Sequence, residues 1–219
     1  DLKTEMTFGP AYYAAGFDAG SYGKSNGTNY LHTITRAFLD GRKLITSANG
    51  AKLNDSQRAA LKGHAKIISS NWEKVLAEAT FKYAGSVYKD MGKLQTVMEA
   101  KGDNSKNLSK YMKHWGELKG FSLALQTGKE NLGETATKMN RLIGFGPLMP
   151  NLSQVVDIDS NDNYVRDQGV SWGEYMVHMA KLQKLLVDKF GVKAKNNAIS
   201  GDIADLAKKL GAANSAEND

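Results

Sequence analysis

The sequence predicts an all-α protein built as an antiparallel helical bundle, and three observations lead to that prediction. Apolar residues recur at steps of three and four along several windows, the spacing of one helical face. The chain has 219 residues but only 3 prolines, so long windows are free of the residue that breaks helices most strongly. No window shows the apolar–polar alternation of a strand over a useful length. Several predicted helices are about 20 residues long, which suits a bundle.

Composition narrows the class of protein and excludes some chemistry. The chain is 41% apolar and 24% charged, as in ordinary globular proteins. It has no cysteine, which excludes thiolate nucleophiles, disulfides and cysteine-based zinc or iron–sulfur sites. No apolar run approaches the ~20 residues that cross a bilayer. The chain starts at Asp1 without an initiator Met or a signal-like segment, so we expect a processed or trimmed form.

The net charge of +6 is a mild basic excess. Lysines are spaced along predicted helical faces beside Asp and Glu and do not form one block. This spacing favours solvated helix faces over a nucleic-acid footprint, and we predict no nucleic-acid partner.

Three regions divide the chain. Residues 1–27 are rich in Gly, Ala and Tyr without a sustained period, which predicts an irregular lead-in that packs its aromatic rings against the body. Residues 28–211 form the predicted helical bundle domain. Residues 212–219 are predicted to be a disordered tail.

The first predicted helix of the bundle begins near Thr28. Leu31, Ile34, Phe38 and Leu39 follow the spacing of one helical face, and the polar cluster around Gly50 ends the helix.

A second, much longer helix is predicted to follow. Asn54 and Gln57 stand at the two positions of a capping box, which marks its start. Gly85 and Gly92 are expected to bend or interrupt it, and the turn cluster KGDNSKN ends it. The apolar face of this helix comprises Leu61, Ile68, Trp72, Val75, Leu76, Ala79, Tyr83, Val87, Met91, Leu94 and Met98.

Four shorter helices complete the prediction. They cover residues 106–126, 132–143, 171–190 and 202–210. Residues 147–170, between the second and third of these, are expected to be irregular.

His114 and Glu117 are the first candidate site. They stand three apart in the predicted helix at 106–126, so both side chains lie on one face and could reach the same metal ion or proton. Imidazole with carboxylate suits zinc or iron, but two ligands do not complete a site. The alternative is structural: a histidine ring oriented by a neighbouring carboxylate in a polar layer.

Glu174 and His178 are the second candidate pair, four apart in the helix at 171–190, and could face the first pair. Both also have structural interpretations. Glu174 is the partner of Ser171 in a predicted capping box, and His178 could be a partly buried side chain. Further carboxylates on the long helix could donate oxygen ligands: Glu73, Glu78 and Glu99.

The acidic loop DIDSNDN, residues 157–163, imitates the first half of a calcium loop. A complete EF-hand requires Gly at the sixth position and Glu at the twelfth, where this chain has Asp162 and Gln168. A solvated acidic turn is the preferred interpretation.

The stretch KHWGELKGFSLALQ, followed by a turn, a short helix and LIGFGP, resembles the imelysin-like superfamily, and more narrowly the bacterial family called domain of unknown function 4856. Upstream, TNYLHTITRAFLDGRKLI and SSNWEKVLAEATFKYAGSVYKDM fit the same pattern in order and length, so the resemblance covers residues 28–147. Its most distinctive element is the His-x-x-Glu motif, here His114 and Glu117. Met112 stands where the superfamily has Gly.

The resemblance implies an all-α fold of two related helical units, export to the bacterial envelope, and association with iron uptake or regulation. Because the chain is short for two units, we expect a fragment or a chain with one unit reduced. The resemblance also implies a periplasmic or outer-membrane-associated location. Contact with the membrane is expected only through a lipid anchor that this sequence does not include.

Three functions remain open at this point. The first is an envelope protein that binds a divalent metal, iron or zinc, or a small metal-containing ligand, with His114 and Glu117 as ligands and Glu174 and His178 as further candidates. The second is a non-enzymatic adaptor that contacts a protein partner at the cell surface through segments 1–27 and 147–170. The third is a metallopeptidase, which would need three protein ligands, an open coordination position and a base. No catalytic residue is identified.

Overall fold

The computed structural model describes residues 9–21, 25, 27–128 and 131–215, which form seven α-helices and one small β-hairpin. The helices are α1 (Gly9–Ser21), α2 (Tyr30–Ser47), α3 (Asp55–Glu99), α4 (Ser105–Gln126), α5 (Glu134–Ile143), α6 (Trp172–Phe190) and α7 (Ile203–Lys209). Strands β1 (Ser153–Ile158) and β2 (Tyr164–Gln168) lie between α5 and α6, and a 3₁₀ turn, Ala213–Ser215, follows α7. The predicted all-α bundle is confirmed. Within the described ranges, no helix has the length and hydropathy of a membrane span.

Helix α3 is the spine of the bundle. It has 45 residues, which gives a length of about 68 Å at the usual rise per residue. Helices α1, α2, α4 and α6 all pack against it. The core comprises large, fully buried side chains of α3, α4, α5 and α6: Met91, Leu94, Tyr111, Leu118, Leu125, Met139, Ile143, Tyr175, Met179, Leu182 and Leu186.

The first part of α3 extends away from this core. Buried side chains in α3 begin at Val75, and residues 55–74 contain none. Helix α2 lies alongside and approaches closely at Gly41, where an added Cβ would meet Leu61 Cδ1 at 3.4 Å. We call residues 30–47 and 55–74 the two-helix arm.

Of the two possibilities, a bend or an interruption at Gly85 and Gly92, the interruption does not occur: α3 is one continuous helix through both glycines. Gly85 instead permits a close contact. A Cβ there would lie 1.8 Å from the carbonyl oxygen of Asn197, in the segment that follows α6. Gln183 Nε2 on α6 donates to the same carbonyl at 3.1 Å and to the Phe81 carbonyl at 2.8 Å. The glycine therefore lets α3, α6 and the segment after α6 meet.

The predicted helix boundaries rest on caps that the structure contains. The Asn54 side chain accepts from Gln57 N, and Gln57 Oε1 accepts from Asn54 N, so both halves of the capping box are present. Ser171 Oγ accepts from Glu174 N at the start of α6. Gly191 ends α6 with φ +64°, the left-handed conformation that glycine adopts without strain.

The two ends of the chain differ from the prediction. Within the segment 1–27 expected to be irregular, Gly9–Ser21 forms α1. Tertiary packing explains the helix, because it buries Ala14 and Phe17 against Tyr30, Val75 and Ala79. Within the tail expected to be disordered, Ala213–Ser215 forms a 3₁₀ turn with Ser215 buried. Residues 1–8 and 216–219 lie outside the described residues.

The segment 147–170, expected to be irregular, contains the β-hairpin. Strands β1 and β2 pair antiparallel, with a bulge between Val155 and Asp157. The strands have 6 and 5 residues, and every residue of β2 is exposed. Because a bulge shifts the pairing and one strand buries nothing, the sequence lacks the alternation that usually reveals a strand.

Candidate functional site

His114 lies at the contact between α3 and α4. It is on the inner side of α4, between the buried residues Tyr111 and Leu118. Its Nδ1 contacts Oδ2 of Asp90, a carboxylate on α3 that is only 4% exposed. Lys110 Nζ is 4.0 Å from the other Asp90 oxygen. Asp90 thus fixes the orientation of the imidazole ring, whose side chain remains 20% exposed and within reach of solvent.

Glu117 lies about one turn after His114 on α4. Its Oε2 is buried and accepts no hydrogen bond from any described residue. A buried carboxylate oxygen without a donor is costly, and native structures generally supply such an atom with a partner. This atom therefore marks a place where a donor or a cation would be stabilising.

Two tyrosines adjoin the carboxylate. The hydroxyls of Tyr13 on α1 and Tyr83 on α3 contact each other. Burial raises the pKa of both phenols above the ordinary value of 10.0, and the negative charge of Glu117 raises it further. For Tyr83 a hydrogen bond to the Glu117 carboxylate adds to the effect, so the carboxylate lacks a donor only at Oε2. The two hydroxyls are therefore protonated at neutral pH.

Aromatic rings and one cation enclose this group. The Tyr83 ring stacks on Phe121 at 5.6 Å between centroids and lies 5.9 Å from the His114 ring. Lys82 Nζ is 5.2 Å from the centre of the Tyr13 ring and 5.3 Å from that of Tyr83, within the range of a cation–π interaction. We call Tyr13, Tyr83, Asp90, His114 and Glu117 the Asp90 cluster.

The Asp90 cluster combines groups suited to binding a cation. His114 Nδ1 is engaged by Asp90, which leaves Nε2 as the nitrogen for a ligand, the arrangement found when a carboxylate orients a metal-binding histidine. Glu117 offers its unpartnered oxygen. Imidazole and carboxylate are ligand types that suit iron and zinc, but His114 and Glu117 supply only two ligands, and Asp90 does not complete a group of three around a metal position.

Asp90, Tyr13 and Tyr83 were not identified as site residues from the sequence. For Asp90, the sequence does contain a pattern that could have identified it. Tyr83, Val87, Asp90 and Leu94 follow at steps of four, three and four, so a carboxylate interrupts an apolar stripe. Tyr13 carried no comparable signal, because its role depends on how α1 packs.

Glu174 and His178 do not join this cluster. Their closest atoms, Glu174 Oε1 and His178 Nε2, are 4.0 Å apart. His178 lines a groove beside α5, and burial lowers the pKa of its imidazole below the ordinary value. In the part of the chain that the structure describes, no three His, Cys, Asp or Glu side chains are grouped to hold a metal ion. The four predicted residues thus form two separate pairs.

Glu78, another of the predicted oxygen donors, has a structural role. It is 1% exposed, and its Oε1 accepts from the Tyr30 hydroxyl at 3.1 Å and from the backbone N–H groups of Lys193 and Ala194 at 2.6 and 3.0 Å. Through these bonds Glu78 on α3 connects the start of α2 with the segment after α6. Its other oxygen, Oε2, is buried without a donor, as Glu117 Oε2 is.

The acidic loop at residues 157–163 is the turn of the hairpin. Asp159 Oδ1 accepts from the backbone N–H groups of Asn161 and Asn163 at 2.8 and 2.9 Å. These bonds lower the pKa of Asp159 below its ordinary value. The oxygen thus organises the turn, which agrees with the acidic turn preferred in the sequence analysis.

Comparison with protein-family models, with curated proteins and with solved structures gives no match for this chain.

Proposed function

We propose that the protein binds a metal ion, iron or zinc, or a small metal-containing ligand, at the Asp90 cluster. His114 and Glu117 are the protein ligands, and Asp90 orients the imidazole. In line with the imelysin-like resemblance, the proposal places the protein in the bacterial envelope, in iron uptake or its regulation.

The buried, unpartnered Oε2 of Glu117 is the observation on which this proposal depends. A metal ion would satisfy that oxygen and would use the His114 nitrogen that Asp90 leaves available. The protonated hydroxyls of Tyr13 and Tyr83 adjoin the carboxylate and would be available to hydrogen-bond to a group bound on the metal. The remaining coordination positions would be open to solvent or to a ligand.

Elemental analysis tests the proposal. The purified protein is loaded separately with iron and zinc and desalted, and its metal content is compared with that of His114→Ala and Glu117→Gln. We expect stoichiometric metal in the natural protein and loss of it in both variants. His32→Ala is the matched control, because His32 is an exposed histidine of α2 outside the cluster. Absence of retained metal, together with an unchanged melting temperature on metal addition, contradicts the proposal.

A second candidate function is supported by the hairpin. This segment was predicted as an adaptor surface, and its exposed apolar side chains, unusual for so short a sheet, are Val156, Ile158, Tyr164 and Val165. A protein partner at the bacterial cell surface would cover them. The test is a pull-down from a bacterial envelope fraction with Ile158→Ser/Tyr164→Ser. Loss of a specific partner in that variant, but not in His114→Ala, supports the adaptor function. Equal capture by both variants counts against it.

A further inference from the structure

A groove of about 850 Å³ runs between α5, α6 and residues 195–204. Its volume lies within the range of small-molecule sites in proteins. None of the residues of the Asp90 cluster lines it. The proposed metal site therefore does not account for it.

The charged side chains that line the groove are mostly basic. Five basic side chains line it together with two carboxylates: Lys138, Arg141, Lys181, Lys184 and Lys195, with Asp188 and Asp202. Because basic side chains outnumber carboxylates there, the groove carries a positive potential that attracts anions.

Both carboxylates already have partners within the chain. Asp188 Oδ2 is 2.6 Å from Lys184 Nζ, and Asp202 Oδ1 accepts from Ala204 N at 2.8 Å to cap α7. By contrast, Lys138, Arg141 and Lys195 have no carboxylate partner within the ranges that the structure describes. Two of these three cations belong to α5, and the third lies in the segment after α6.

Apolar side chains form another part of the lining. Phe81, Leu142, Leu185 and Ile199 contribute to it, next to the imidazole of His178. Burial keeps the pKa of that imidazole low, so it is neutral at pH 7 and can donate or accept one hydrogen bond. A ligand would therefore meet hydrocarbon and cations in the same groove.

We propose that this groove binds a small organic anion that combines an apolar body with a phosphate or carboxylate group. The apolar body contacts Leu142, Leu185 and Ile199. The anionic group is held by Arg141 and Lys138 on α5, with Lys195 facing them. Guanidinium groups favour both phosphate and carboxylate because they match either anion with two parallel hydrogen bonds.

Calorimetric titration of the full chain tests the proposal with four probes: 1-naphthyl phosphate, 1-naphthoate, inorganic phosphate and 1-naphthol. We expect sub-millimolar binding of at least one of the two aromatic anions, about tenfold tighter than 1-naphthol or inorganic phosphate, because only the complete ligand uses both parts of the groove. The preferred aromatic anion identifies phosphate or carboxylate as the natural group. Perturbed NMR resonances of the His178 ring locate the bound probe.

Lys138→Gln/Arg141→Gln is the diagnostic variant, since both side chains are exposed and their loss leaves the core intact. We expect it to weaken binding of the aromatic anion by about tenfold or more. Arg36→Gln/Lys106→Gln removes the same charge from exposed positions on α2 and α4 and should bind as the natural protein does. Failure of both aromatic anions to bind saturably, or an equal loss of affinity in the two double variants, overturns the proposal.

Discussion

At the scale of single residues, Asp90 is the residue on which the candidate site depends. It is buried in the interface between α3 and α4, and it contacts both His114 and, at longer range, Lys110. A buried carboxylate in such a position holds its partners in place but is costly when its contacts are lost. Its neighbours on α4 differ in exposure, which allows their contributions to be separated.

Asp90→Asn keeps the shape of the side chain and removes its charge. We expect this change to lower the free energy of unfolding by about 2 kcal/mol, because a charge-assisted hydrogen bond inside the interface is weakened. Urea denaturation measures it. Lys110→Gln is the control, since an exposed ion pair contributes about 1 kcal/mol or less. Equal destabilisation by the two variants would mean that the contact between Asp90 and His114 contributes little.

The site could be predicted from the sequence only in part. His114 and Glu117 were identified because their spacing on one helix fixes their shared face. Asp90 lies on another helix, and helix pairing across the bundle is not encoded in local spacing. Glu174 and His178 could have faced the first pair, but His178 lines the groove beside α5, because the rotation of α6 about its own axis depends on the whole core.

At the scale of elements, Gly85 shows why a glycine stands inside the spine helix. Gly85→Ala should destabilise the protein by about 3 kcal/mol or more, because the new Cβ would collide with the Asn197 carbonyl and overpacking of this kind displaces backbone. Thermal or urea unfolding measures the loss. Gly63→Ala on the same helix has open space around the new Cβ, so we expect a gain of about 0.5–1 kcal/mol from helix propensity alone. Similar effects at both positions would contradict the close contact.

The turn of the hairpin should respond to acid. The side chain and N–H of Asn163 and the N–H of Asn161 donate to Asp159, so its pKa lies below the ordinary value of 3.8 in the folded turn. The ionised carboxylate therefore stabilises the turn fully at pH values above the Asp159 pKa of the unfolded chain. This contribution is lost as the pH falls through the lower pKa of the folded turn. An NMR titration of the Asp159 carboxyl carbon and the amides of Asn161 and Asn163 follows this change. In the control Asp159→Asn, the two amides should show no such transition. A titration midpoint of Asp159 at the ordinary pKa in the natural protein would contradict the hydrogen bonds to its carboxylate.

Most helices could be predicted from the sequence because their signals are local. Asn54 with Gln57, Ser171 and Gly191 mark helix ends through contacts within a few residues. Helix α1 could not be predicted, because its stability depends on burying Ala14 and Phe17 against α2 and α3. The hairpin was missed because its bulge and its exposed second strand remove the alternation that reveals a strand.

At the scale of the whole molecule, stability should be uneven along α3. Residues 55–74 contact α2 in the two-helix arm and bury no side chain, whereas residues from Val75 onward lie in the core. Because local opening is easiest where little apolar surface is buried, native-state hydrogen exchange should be faster at residues 57–72 than at 75–94. Uniform protection along α3 would show that the arm and the core unfold as one unit.

A metal ion shared by His114 and Glu117 would be visible in X-ray absorption at the metal edge of the iron- or zinc-loaded protein, because the spectrum reports the ligand atoms. For zinc we expect an imidazole nitrogen and a carboxylate oxygen at about 2.0–2.2 Å, with the imidazole signal lost in His114→Ala. A spectrum without imidazole scattering, or one that is unchanged in His114→Ala, would contradict a shared metal ion.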